Sequence, residues 1–166
     1  MTARRWILLA EDNANDADLT MRALSANQSP SEVILAGDGV EALDCLYRRG
    51  AFQSRDENPP AVVLLDLKMP RVDGLEVLRQ IKTDAALKNI PVVIFTSSRE
   101  RADLTRTYQL GANAYVVKPL GFQEFVSALK DVKKFWLVIN EPPPRDFNRA
   151  PGPSDGQSQT QPAPAG

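Results

Sequence analysis

The stretch Val62-Val63-Leu64-Leu65-Asp66-Leu67-Lys68-Met69-Pro70-Arg71-Val72-Asp73-Gly74 decides the fold. Four apolar residues in a row, with no polar alternation, describe a strand buried on both faces, the habit of a central strand in a parallel sheet. The run stops at a carboxylate, and Pro70 and Asp73-Gly74 supply turn chemistry just beyond it. In open parallel sheets ligands bind outside the carboxyl ends of the strands, so Asp66 stands at an edge suited to chemistry. Taken alone, an aspartate in this place serves equally well to end a strand, and the choice rests on the flanking sequence.

Toward the N-terminus, Trp6 to Ala10 is a second unbroken apolar run, and it too ends in acids, Glu11-Asp12. Ala17, Met21 and Leu24 follow helical spacing between Asp16 and Ala26, and Asn27 to Ser31 with Pro30 breaks that pattern. Val33 to Ala36 forms a short strand. Asp38-Gly39-Val40-Glu41 places an N-cap acid three residues before a glutamate and opens a helix carrying Val40, Leu43, Leu46 and Tyr47. Arg48 to Pro60 has no apolar period and is longer than most connections, which fits either a docking loop or a tolerated surface insertion.

Toward the C-terminus, Asp73 to Glu76 repeats the capping spacing and starts a helix with Leu75, Leu78 and Ile81 inward. Val92 to Phe95 is the fourth strand and leads into Thr96-Ser97-Ser98. Ser97 and Glu100 have capping-box spacing, which predicts a helix from there to Leu110, stopped by Gly111. Its apolar stripe of Ala102, Leu104, Tyr108 and Leu110 is thin, as expected of an element that is cheap to reposition. Ala114 to Val117 is the fifth strand, followed by Lys118-Pro119 and a last helix from about Phe122. Five strands alternating with five helices predict an α/β fold, a doubly wound parallel sheet with right-handed crossovers.

The last helix is longer than a short strand needs. Phe122, Phe125, Leu129, Val132, Trp136 and Ile139 form one stripe in steps of three and four. Covering a strand takes only about 12 residues at 1.5 Å rise. The surplus, with Phe135 and Leu137, predicts either a homodimer through this helix or a fold-back onto the same domain. From Glu141 onward lie seven of the thirteen prolines, with Gly, Ser and Gln. Such a segment buries too little to offset ordering, so residues 1–140 are expected to be the folded domain and 141–166 a disordered tail.

Composition narrows the chemistry. A net charge of −1 carries no basic surplus for nucleic acid, and no run is long enough to span a membrane, so a cytoplasmic protein is expected. Cys45 is the single cysteine, placed as a small buried hydrophobe. The chain has no histidine, which excludes Ser-His-Asp and Cys-His catalysis and His-ligated zinc. What remains is carboxylate, lysine and hydroxyl chemistry. Glu11, Asp12, Asp66, Thr96 and Lys118 all follow strands and converge on one edge. Clustered carboxylates call for a hard cation, for which Mg2+ is the best candidate. With Lys118 and the metal neutralising an incoming phosphoryl group and Thr96 bonding one of its oxygens, Asp66 becomes a candidate nucleophile that forms an acyl phosphate.

These residues resemble the receiver domain of two-component response regulators. The resemblance covers residues 5 to about 139 and rests on Glu11-Asp12, on Asp66 within its loop to Gly74, on Thr96 followed by small Ser97, and on Tyr115 and Lys118-Pro119. It implies a flavodoxin-like sheet of order 2-1-3-4-5 and phosphorylation of Asp66 by a sensor histidine kinase or phosphotransfer protein. It also implies a metal site of Glu11, Asp12, Asp66 and the backbone carbonyl of Lys68, a switch pair of Thr96 and Tyr115, and a cis Lys118-Pro119 bond. The Arg48–Pro60 loop, Phe135-Trp136-Leu137 and Pro142-Pro143 resemble the single-domain regulators paired with phytochrome kinases, which implies dimerisation through Phe135, Trp136 and Ile139. Two further classes stay open: a phosphatase with an aspartyl nucleophile, for which Lys68 stands where a second acid is usual, and a phosphorylation-independent binding module.

Overall fold

A computed structural model describes residues 4–25 and 32–144. Its strands are β1 (Trp6–Ala10), β2 (Glu32–Ala36), β3 (Val62–Leu65), β4 (Val92–Thr96) and β5 (Ala114–Val117). Its helices are α1 (Ala14–Ser25), α2 (Gly39–Tyr47), α3 (Gly74–Thr83), α4 (Arg101–Gln109) and α5 (Phe122–Lys134). The strands form one parallel sheet, as the sequence pattern predicts, in the order β2-β1-β3-β4-β5 that the resemblance implies.

The sheet is a divider between two apolar layers, and strand alternation assigns the side chains. Ile7, Leu9, Val62, Leu64, Val93 and Phe95 meet Leu24 of α1 and Phe125 and Leu129 of α5. Leu8, Ala10, Val63, Leu65, Val92 and Ile94 meet α2 and α3 on the other face. Residues two apart share a face, so an unbroken apolar run feeds both cores at once. β1, β3 and β4 are buried throughout, whereas every residue of β5 is half-exposed, as befits an edge. Cys45 is fully buried, and burial pushes its thiol up to about 11.

Asp38 and Asp73 cap α2 and α3 as their spacing predicts, their side chains accepting the Glu41 and Glu76 N–H groups at 2.9 Å each. The start of α4 differs from expectation. Ser97 is exposed and does not cap it, and the helix begins only at Arg101. Ser98 takes the local bonds instead: its Oγ accepts the Glu100 N–H at 3.3 Å and pairs with Asp103 at 2.5 Å, which holds residues 97–100 out of helical conformation. Thr107 is the only fully buried side chain of α4, so this helix is thinly anchored.

The last helix also differs. After Lys134 it widens into a π turn over Phe135–Ile139, closed by the Asn140 N–H on the Phe135 carbonyl at 2.7 Å. A π turn inserts an extra residue and rotates the face that follows. The predicted stripe is therefore split: Phe125 and Leu129 are buried and Trp136 and Leu137 pack partly on the domain's own core. Phe122 is 67% exposed, and Phe135, Val138 and Ile139 are 45%, 69% and 58% exposed. Arg5 secures the turn by donating to the Leu137 and Asn140 carbonyls at 2.8 and 3.1 Å.

The Arg48–Pro60 loop contains a 3-10 turn at Gly50–Phe52 and is pinned by Arg55, which donates to the Cys45 and Asn58 carbonyls and lies 4.8 Å over the Trp6 ring. Leading into β3, the loop closes the edge of the sheet opposite to Asp66. There is no cis peptide among the described residues, so the Lys118-Pro119 bond expected to be cis is trans. Glu141 to Pro144 has no regular structure, and the remainder of the tail, like the Asn27 to Ser31 break, lies outside the described residues. Among the described residues no helix is long and apolar enough to cross a membrane.

Candidate phosphoacceptor and metal site

Three of the five converging residues sit one step past the ends of their strands and are held there by the sheet itself. The Glu11 N–H donates to the Ala36 carbonyl at 3.0 Å, Asp66 N–H to Ala10 at 3.1 Å, and Lys118 N–H to Thr96 at 2.7 Å. Continuing the ladder in this way fixes where each side chain leaves the backbone. The edge therefore gathers residues that are far apart in sequence.

At its centre is the Lys118 ammonium, 7% exposed, with Glu11 Oε2 at 2.5 Å, Asp16 Oδ2 at 2.8 Å and Asp66 Oδ2 at 2.9 Å. It also lies 5.7 Å over the Phe95 ring, a cation–π contact. Burial pulls the Lys118 ammonium down, but the bonds to Asp16, Asp66 and Glu11 outweigh it and hold it above the usual lysine value. Glu11 shows the opposite balance. Burial, with the Asp66 charge adding to it, pushes its carboxyl up to about 7 despite Lys118.

Glu11, Asp12 and Asp66 each offer a carboxylate oxygen, and these oxygens lie within 4.8 Å of one another. Asp12 is exposed, Glu11 and Asp66 buried, so the set opens to solvent on one side. Three of the carboxylates at this edge, those of Glu11, Asp16 and Asp66, share the one Lys118 ammonium, and Asp12 adds a fourth acid beside Glu11 and Asp66. A divalent cation with oxygen ligands fits this donor set. Of the oxygens not on Lys118, Glu11 Oε1 accepts the Asn13 N–H at 3.1 Å and Asp66 Oδ1 faces the Lys68 N–H at 3.4 Å. The Lys68 side chain is exposed.

The loop after Asp66 is shut by a close approach. A Cβ on Gly74 would lie 2.1 Å from the Asp66 carbonyl oxygen, so only glycine lets α3 begin here, with its N–H on the Leu67 carbonyl at 2.8 Å. Arg71, in the left-handed region at φ 64, reaches back to Asp38 Oδ2 at 2.6 Å and ties this loop to the start of α2. Thr96 is buried, and its Oγ1 accepts the Ser98 N–H at 3.3 Å. The Tyr115 hydroxyl donates to the Ser98 carbonyl at 2.9 Å. Thr96 and Tyr115 thus both bond to Ser98, in the segment that leads to thinly anchored α4. Phe135, Trp136 and Ile139 form a separate surface on the π turn.

Two contributions escape sequence reasoning. Asp16 reads only as the acid that starts a helix, and nothing in its spacing points to a lysine 102 positions away. The Asp38–Arg71 pair joins two loops whose proximity depends on β1 lying between β2 and β3.

An open parallel sheet of order 2-1-3-4-5, carrying acids and a buried lysine at its carboxyl edge, defines a doubly wound, flavodoxin-like α/β domain. The chain belongs to the response regulator receiver domain family, whose model matches residues 7–130. Among curated relatives, the probable methanogenesis regulatory protein FilR2 of Methanothrix harundinacea is 39% identical over 148 residues, 89% of this chain and 88% of that protein. Among solved structures, the phosphorylated cyanobacterial phytochrome response regulator RcpA is similar at a TM-score of 0.80 and 36% identity, covering 86% of this chain and all 100% of that one. The bacteriophytochrome response regulator AtBRR is 52% identical at a TM-score of 0.68, covering 84% of this chain and 100% of its own.

Proposed function

We propose that this receiver accepts a phosphoryl group on Asp66 from a phosphohistidine of a sensor kinase or phosphotransfer protein, and that the sensor is a phytochrome. The observation that carries the reading is the buried Lys118 ammonium, 2.9 Å from Asp66 Oδ2 and beside the three-carboxylate set. The phytochrome assignment is supported by the likeness to RcpA and AtBRR.

Mg2+ held by Glu11, Asp12, Asp66 and the Lys68 carbonyl would supply positive charge to the phosphoryl oxygens. The chain's own residues do the rest. An Asp66 carboxylate oxygen forms the bond to phosphorus while the P–N bond to the donor histidine breaks, its electron pair returning to the imidazole. With acetyl phosphate the P–O bond breaks and acetate leaves. Lys118 bonds a phosphoryl oxygen, and Thr96 bonds a second by turning from the Ser98 N–H. That release, passed through the Tyr115 bond to the Ser98 carbonyl, repositions α4 and changes partner binding. The folded receiver extends to about residue 140, and the protein acts in the cytoplasm.

The test is intact-mass measurement after incubation with acetyl phosphate. The chain is expected to gain one phosphoryl group with Mg2+ and none with excess chelator; modification that is indifferent to the cation would overturn the reading.

Homodimerisation through the last helix remains part of the proposal, supported by the exposed apolar surface of the π turn. Because Trp136 packs partly on its own core, Phe135 and Ile139 are the residues to change. Phe135→Ser/Ile139→Ser is expected to shift the wild type's dimer to monomer in size-exclusion light scattering without lowering the melting temperature. A wild type that is monomeric at high concentration would end this part of the proposal.

A further inference from the structure

Lys118 has no N–H to spare. An ammonium offers three donors, and Glu11, Asp16 and Asp66 take one each. A phosphoryl oxygen that is to be bonded by Lys118 must therefore displace one of them. The three are not equally held. The Glu11 and Asp66 side chains are 1% and 11% exposed, whereas that of Asp16, on the first turn of α1, is 36% exposed. Glu11 has no solvent to turn to, and Asp66 is the acceptor itself. Asp16 instead lines an opening with Ser97, Lys118 and Pro119, so water can replace what it gives up.

From this geometry we infer that Asp16 is a positioning residue, a gate on Lys118 that occupies the donor needed by the incoming phosphoryl group and so sets the rate of phosphoryl uptake. The inference rests on the phosphoacceptor reading of Asp66. Two effects act in one direction. The Asp16–Lys118 bond has to be given up before the phosphoryl oxygen is bonded, and the Asp16 carboxylate repels an anionic donor approaching the same ammonium. Removing the Asp16 charge leaves Lys118 still oriented by Glu11, Asp66 and the Phe95 ring, so its position survives. The covalent step is unchanged: Asp66 bonds phosphorus as the P–O bond of acetyl phosphate breaks and acetate departs with the pair.

The test compares the full-length wild type, Asp16→Asn, Asp16→Ala and Asp66→Asn with acetyl phosphate and Mg2+, following phosphoryl mass with time. Both Asp16 variants are expected to be phosphorylated at least about threefold faster, the scale of a half-exposed ion pair. The gain is expected to shrink at about 0.5 M salt, where screening weakens the repulsion. A merely structural role would slow the reaction or leave it alone, so an increase separates gating from packing. Equal or slower uptake by both variants, with labelling abolished in Asp66→Asn, overturns the gate alone. Labelling that persists in Asp66→Asn overturns the phosphoacceptor reading and the gate with it.

Discussion

Asp66→Asn protein, incubated with acetyl phosphate and Mg2+, is expected to gain no phosphoryl mass, a loss of at least about a hundredfold in initial rate. The amide keeps the shape of the side chain and can still accept a bond from Lys118, so the fold at the edge is retained. It lacks the anionic oxygen that attacks phosphorus, and the neighbouring acids do not replace it. Glu11 is 2% exposed and fixed on Lys118, and Asp12, though exposed, belongs to the candidate donor set for a cation. The measurement is intact mass beside a melting curve, which separates loss of chemistry from loss of structure. A folded Asp66→Asn protein that is still modified at the wild-type rate would move the acceptor elsewhere.

Lys118→Ala is expected to be the most destabilising single change at this edge. Removing one member of a buried charge cluster leaves the others uncompensated, at a cost of about 3–5 kcal/mol. For a chain of this size that corresponds to a fall of roughly 10 °C in melting temperature. The sign of the cation effect is diagnostic. With the ammonium gone, Glu11, Asp12 and Asp66 have a greater deficit of positive charge, so Mg2+ is expected to raise the melting temperature of Lys118→Ala more than that of the wild type. Any phosphorylation that survives is expected not to alter partner binding, because the phosphoryl oxygen has lost its bond to β5. A variant as stable as the wild type and indifferent to Mg2+ would contradict the clustering of these acids around Lys118.

The contrast between the two substitutions follows from where the residues sit. Asp66 is the proposed acceptor, whereas Lys118 is also the buried charge that Glu11, Asp16 and Asp66 share. Asp16 differs from both, since its half-exposed carboxylate contributes little to folding and acts on Lys118 from the solvent side. Only the three-dimensional arrangement separates these roles, because in the sequence all three are charged residues following apolar runs or opening a helix.

The sequence by itself determined the parallel sheet, the two aspartate caps and the convergence of Glu11, Asp12, Asp66, Thr96 and Lys118. Each follows from local rules: unbroken apolar runs must be buried on both faces, acids accept the free N–H groups of a helix start, and residues that end parallel strands share one edge. Tertiary structure alone decided the third partner of Lys118, the Asp38–Arg71 tie, the start of α4 and the rotation of the last helix. Asp16 reaches Lys118 because α1 starts at the edge where β5 ends, a relation with no period along the chain. Ser98 takes the bonds expected of Ser97 because its hydroxyl meets Asp103 of α4 and its carbonyl accepts from Tyr115 of β5, and capping spacing carries no knowledge of such competitors. The apolar stripe of α5 presumes ideal α geometry, and one inserted π turn, secured by Arg5 from the other end of the domain, redirects Phe135 and Ile139 outward and Trp136 toward the core.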